Sequence, residues 1–233
     1  HSMAGKRPKA PLTLPYRTTI KTTNMKKTRN LACTLLCIVA AITALSSCLS
    51  SDNDEQNITP EEAKMIFNAF KGTYQGNLYA VYEQSGRLYK ATDSVENVTV
   101  TIDRDTIVHI ANVPDSLYAY LTNTEYAEGK KVKDALRKHT ATQSVRSKIT
   151  TVGFADRDKR YYQCFTNYFT TNITANYDSQ SHQLTFNNAM SCWYNPTKSK
   201  LQVNMSPVEI KSDKNVLRPS GIYFVFLSKT KRP

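Results

Sequence analysis

From residue 59 onward the apolar residues fall into two spacings. The first is helical. Ile66, Phe67 and Phe70 recur one, three and four residues apart, the stripe an amphipathic helix presents to a core. Thr59-Pro60-Glu61-Glu62 precedes them. Thr59 is placed to accept from the first amides, Glu62 to reach back, and Pro60 suits the first helical position. The pattern predicts a helix from Thr59 to about Lys71, with Gly72 as its cap.

The second spacing has period two and predicts strands. Gly76, Leu78, Ala80 and Tyr82 alternate with polar neighbours, and Ser85-Gly86 suits a turn. Val98, Val100 and Ile102 lead through Arg104-Asp105 into Thr106 to Ile110, a hairpin. Ile173, Ala175 and Tyr177 lead through the polar stretch Asp178 to His182 into Leu184 and Phe186, a second hairpin. Leu201, Val203 and Met205 share one face. The apolar parity then flips to Val208 and Ile210 across Ser206-Pro207, which predicts a bulge or bend. Ile222 to Leu227 is apolar on both faces, so this strand is central or enclosed. One helical stretch interrupts the strands. Glu128 to His139 carries Val132, Ala135, Leu136 and His139 on one face and Lys130, Lys131, Lys133, Arg137 and Lys138 elsewhere. Asp115 to Tyr120 reads as a loop or short helix. The expected fold is mainly β: an antiparallel barrel or sandwich of about eight or nine strands, with an N-terminal and a central helix.

The chain before residue 59 follows neither spacing. Lys26, Lys27 and Arg29 precede the uncharged run Leu31 to Ala44, and Ser46-Ser47 precede Cys48. A basic start, short apolar middle and small-residue end form a secretory signal peptide. Fourteen residues span roughly 21 Å as a helix, short of the ~30 Å hydrocarbon core. The organisation expected is therefore an upstream disordered segment or cloning remnant over residues 1–24, a signal peptide over 25–47, an acidic tether over 48–58 and one domain over 59–233.

This organisation changes the meaning of the composition. Eight of the 31 basic residues and none of the 19 acids lie in residues 1–47, so the formal charge falls from +12 to about +4 without them. A nucleic-acid-binding domain would be far more basic, so no nucleic-acid partner is expected. Cys33 and Cys37 leave with the leader, so Cys164 and Cys192 are the only thiols beyond Cys48. They form one disulfide in an oxidising compartment or remain two buried thiols. No metal-binding spacing is present, and His109, His139 and His182 lie far apart.

The segment Leu45-Ser46-Ser47-Cys48 resembles the lipobox of bacterial lipoproteins. That resemblance implies cleavage before Cys48, lipidation of its thiol and acylation of its new amino group. With the acidic tether, the Thr59-Pro60-Glu61-Glu62 helix start, Phe70-Lys71-Gly72-Thr73-Tyr74-Gln75-Gly76 and the hairpin through Asn112-Val113-Pro114, the chain resembles a family of uncharacterised Bacteroidetes-type lipoproteins, a domain of unknown function. The resemblance implies an outer-membrane protein anchored by lipid at Cys48, on the periplasmic or cell-surface side. The acids Asp52, Asp54 and Glu55 are similar to a surface-export signal of such lipoproteins, and equally suit a solvated tether. Gly72-Thr73-Tyr74 is also similar to the first strand of calycin barrels, with tyrosine where those carry tryptophan.

Candidate chemistry is sparse. Asp103 with Asp105, and Asp156 with Asp158, are carboxylate pairs, but aspartates at turns usually bind their own backbone. There is no Gly-x-Ser-x-Gly elbow and no phosphate-cradling glycine loop. Neither a cofactor nor catalysis is expected. The candidate ligand-binding residues are the aromatic Tyr74, Trp193 and Tyr194, which can stack on a ligand or pack in a core. The reading is a non-catalytic binder of a small hydrophobic ligand, a glycan or an envelope protein, the alternatives being an accessory subunit of an envelope complex or a hydrolase. A deep apolar interior would favour a carrier. A filled interior with an exposed apolar face would favour an interaction subunit.

Overall fold

A computed structural model describes residues 58–84, 87–158 and 160–232. The leader, Cys48 and most of the tether lie outside the described residues. Three α-helices are described: α1 (Pro60–Phe70), α2 (Asp115–Tyr118), which runs into a 3-10 turn (Ala119–Leu121), and α3 (Ala127–Leu136). Ten strands are described: β1 (Gly72–Gln84), β2 (Arg87–Ile102), β3 (Ile107–Pro114), β4 (Thr142–Asp156), β5 (Tyr161–Thr166), β6 (Phe169–Tyr177), β7 (Gln180–Asn195), β8 (Lys200–Ser212), β9 (Asn215–Leu217) and β10 (Tyr223–Arg232).

Every pairing is antiparallel, and neighbours traced from β1 return to it: β1-β2-β3-β4-β5-β7-β8-β10. Eight strands thus close a ring. β6 continues β5 along the same edge of β7, and β9 adds a short edge to β8. An eight-stranded barrel is just wide enough for its own side chains to fill it or to hold one small ligand. Here side chains occupy the interior. Leu78, Val100, Ile110, Phe186, Val203, Phe224 and Phe226 belong to one buried cluster. Tyr118, from α2, stands within it against Phe186 and Phe224, with ring centroids 4.9 and 5.3 Å away, and its hydroxyl meets Thr171 Oγ1 at 3.1 Å.

α1 closes the opposite end. Its start is the expected capping box: Glu62 N donates to Thr59 Oγ1 (3.1 Å) and Thr59 N donates to Glu62 Oε2 (2.9 Å). Arg157 Nη1 donates to Glu62 Oε1 at 2.8 Å, which ties the helix start to the β4–β5 turn. The cap at the other end differs from expectation. Lys71 is the C-cap, and Gly72 (φ +136°) opens β1, because the chain turns directly into the sheet. Gly76 has no room for a side chain. A Cβ there would lie 2.0 Å from the Leu227 carbonyl oxygen, where the β1–β10 register shifts.

Other expectations meet local departures. The β6–β7 turn is tighter than the polar stretch implied. Tyr177 pairs with Gln180, and both Asp178 (φ 50°) and Ser179 (φ 61°) adopt the left-handed conformation of a two-residue turn. The bulge near Ser206-Pro207 is present: Asn188 faces Pro207 and Asn187 faces Glu209, so Val208 is the spare residue. Val208 therefore points outward, contrary to the expected inward pair, while Ile210 is buried. Tyr82 is exposed rather than inward. Tyr79, Val81 and Val225 form a second buried cluster on the other face of β1 and β10, which accounts for the two-sided apolar run of the last strand.

Candidate functional site

Two solvent-open hollows occur among the described residues. The larger, of about 610 Å³, is lined by Tyr168, Thr170, Asn187, Val208, Glu209, Val216, Leu217 and Pro219. Its floor is a polar row across three strands. Thr170 Oγ1 donates to Asn187 Oδ1 (2.7 Å), Asn187 Nδ2 donates to Glu209 Oε2 (2.9 Å), and Lys211 Nζ lies 2.7 Å from the same carboxylate. Lys211 and then Asn187 hold the Glu209 carboxyl below the usual range. The rim is apolar. Tyr168 sits in the two-residue break between β5 and β6 and is 75 % exposed. Val208 (56 %) is delivered by the bulge, and Val216 (67 %) by β9. Phe165 is also exposed, three residues before Tyr168. Four of the seven large apolar side chains exposed among the described residues thus fall on β5 to β9.

The sequence reading missed this site because its parts are local irregularities. The proline-linked parity flip located the bulge, but nothing in the pattern marked the β5–β6 break that turns Tyr168 outward. The expected binding residues lie elsewhere. Tyr74 is fully buried, its hydroxyl donates to the Phe70 carbonyl (2.5 Å), and burial pushes its pKa up. Tyr194 packs edge-on against it at 6.2 Å. Lys231 Nζ lies over both rings (5.3 and 4.6 Å) and donates to the Ala69 carbonyl at 2.7 Å. Both tyrosines therefore pack under α1 rather than face solvent. Trp193 points outward from β7, half-buried, and its Nε1 is buried without a hydrogen-bond partner among the described residues.

Cys164 and Cys192 stand directly opposite one another on β5 and β7, both fully buried, as free thiols. Asp103 caps its own turn, accepting from the amides of Asp105 (2.9 Å) and Ile107 (3.0 Å). No group of three or more metal-ligating side chains occurs among the described residues.

Two histidine–aspartate contacts were not legible in sequence. His139 Nδ1 lies 3.3 Å from Asp115 Oδ2, and Gln143 Nε2 donates to Asp115 Oδ1 at 2.8 Å. His182 Nδ1 lies 2.8 Å from Asp213 Oδ2, and its ring stacks on Tyr177 at 3.8 Å. Asp213 also accepts from Gln183 N (2.9 Å), so it clamps the β8–β9 turn to β7. That amide first, and His182 second, lower the Asp213 pKa. Ser212, next in the chain, bonds to the Tyr177 hydroxyl at 2.5 Å. Burial, followed by the bond to Glu128, pushes the Tyr177 pKa up to about 12. These contacts pin β6, β7 and α3 together.

The smaller hollow, about 250 Å³, is lined by Lys198, Ser199, Lys200, Lys229, Thr230 and Lys231 at the α1 end. The lysines of α3 are largely solvent-facing, with Lys131 paired to Asp178. No described helix is long and apolar enough to cross a membrane.

The model of a domain of unknown function, DUF4840, matches residues 69–212. No curated protein and no solved structure matches the chain.

Proposed function

Because the chain belongs to the DUF4840 family, whose function is unknown, we propose its role from the barrel wall: a non-catalytic interaction module of the cell envelope. Its partner is another envelope protein, docked on the cleft between Tyr168 and Val216. The observation that carries this reading is that the exposed Tyr168, Val208 and Val216 line one cleft of the wall. Clustered exposed apolar groups mark interaction surfaces, and tyrosine is a frequent energetic anchor there. The interior is occupied by aromatic and aliphatic side chains, which weighs against a carrier of small hydrophobic ligands. The one carboxylate lining the cleft is Glu209, engaged by Lys211 and Asn187, which weighs against acid–base work.

A second reading rests on the polar row Thr170-Asn187-Glu209, which lines the same cleft as Tyr168 and suits a sugar stacked on an aromatic face. It predicts resonance shifts at Tyr168 and Asn187 on titration with soluble oligosaccharides.

The lipid anchor at Cys48 and the outer-membrane location belong to the same proposal, and rest on the leader and lipobox. The tether would enter at the α1 end of the barrel, leaving the side wall open. Two experiments test the proposal. Cys48→Ser is expected to release the protein from membranes, and continued retention would remove the anchor. Purification of wild type and Val208→Lys from detergent-solubilised membranes is expected to show a stoichiometric protein lost from the variant. Identical companions in both would remove the docking surface.

A further inference from the structure

We propose that Cys164 and Cys192 are an oxidisable pair that becomes a disulfide across the β5–β7 seam of the barrel. They are register partners, flanked by Gln163 opposite Trp193 and Phe165 opposite Ser191. Directly opposed residues of an antiparallel ladder have Cα atoms about 4.5 or 5.5 Å apart. Both separations fall in the roughly 4.4–6.8 Å window a disulfide spans. By Cα separation the pair is within disulfide reach.

The seam is short, with four register pairs from Tyr162 opposite Tyr194 to Phe165 opposite Ser191. It is where the β1-to-β5 meander meets the β7–β8 hairpin to close the ring. A covalent link there fixes the closure. It also lies on the strand that leads into the β5–β6 break.

Oxidation requires a disulfide donor, such as glutathione disulfide or a disulfide oxidoreductase. One cysteine thiolate attacks a donor sulfur, breaking the donor's S–S bond, forming a mixed disulfide and releasing one donor thiolate. The second cysteine thiolate attacks the cysteine sulfur of that mixed disulfide, closing the Cys164–Cys192 bond and releasing the other donor thiolate. The pair loses two electrons and two protons, and the donor gains them. Both thiols are fully buried, and the shared contact with Cys164, with burial, holds the Cys192 thiol well above its usual range. The attacking species is the thiolate, so exchange belongs to the open chain, before the barrel closes.

The test uses the full chain, exported to an oxidising compartment, acid-quenched, denatured and alkylated, without reductant. Trypsin leaves both cysteines on one peptide, residues 161–198. That peptide is expected two hydrogens lighter than the dithiol form and free of adducts, and to take two adducts after reduction. Mapping this peptide keeps the state of Cys48 out of the readout. Two adducts without reductant would overturn the proposal, as would a mixed disulfide on either cysteine. A second measurement covers incomplete export. The purified reduced chain, unfolded and refolded with glutathione disulfide, is expected to close the same bond, whereas the folded reduced chain resists it. Failure of the refolded chain to close it would likewise overturn the proposal.

Discussion

Tyr74 closes the α1 end of the barrel, and two substitutions separate what its ring and hydroxyl contribute. Tyr74→Phe keeps the ring under Lys231 and removes only the hydroxyl that donates to the Phe70 carbonyl at 2.5 Å. That carbonyl is among the last of α1, which have no partner within the helix. A buried polar group left unsatisfied costs about 1–3 kcal/mol. In a domain of this size each kcal/mol lowers the Tm by about 2–4 °C, so Tyr74→Phe is expected to lose about 2–12 °C. Tyr74→Ala also empties a fully buried site and removes a face from Lys231. Ring deletion costs about 3–5 kcal/mol and the cation–π contact about 1 more. With the hydroxyl the loss comes to about 5–9 kcal/mol, comparable with the whole stability of many domains, so this variant is expected to be largely unfolded. Thermal melts and urea titrations followed by circular dichroism measure both. A Tyr74→Phe midpoint equal to wild type would refute the helix-end bond, and a folded, stable Tyr74→Ala would refute the packed end.

Four further outcomes follow from single positions. Deleting Val208 leaves Pro207 and Glu209 facing Asn188 and Asn187 in a regular ladder, so the fold is expected to survive with its unfolding midpoint little changed, whereas deleting Val203, where no residue is spare, is expected to abolish folding. Gly76→Ala drives a Cβ into the Leu227 carbonyl and is expected to yield little soluble protein, read by expression and circular dichroism. Asp213 has a folded pKa below its unfolded value, so its stabilisation is present above about pH 4 and is lost as pH falls through the folded pKa. Asp213→Asn is therefore expected to flatten that acid limb in thermal melts, and an unchanged limb would exclude the clamp. Reducing the proposed Cys164–Cys192 bond reopens a loop of about 29 residues and is expected to cost about 3–4 kcal/mol, or roughly 10 °C in Tm.

The regular parts of the fold were legible because burial repeats with a fixed period. Val98, Val100 and Ile102 declared one strand, and the Thr59–Glu62 box declared one helix start. The bulge was legible because a proline coincided with a parity change. The cleft was not, since it depends on irregular positions. Val208 reads as core by type and becomes rim because it is the spare residue, and Tyr168 is exposed by a two-residue strand break that no periodicity encodes. The aromatic residues singled out by type, Tyr74 and Tyr194, serve the core because α1 folds over them. The His182–Asp213 contact joins residues 31 apart in the chain, which only the closed β7–β8 ladder brings together.

The account turns on the outer wall of the barrel, and photo-crosslinking in intact cells tests it most directly. A photoreactive residue replaces Tyr168, Val208 or, as a control, Glu96, exposed on β2 across the ring from β7. The account predicts one discrete protein adduct from positions 168 and 208 and none from 96. Adducts from all three alike, or none at 168 and 208 while the protein remains folded, would contradict it.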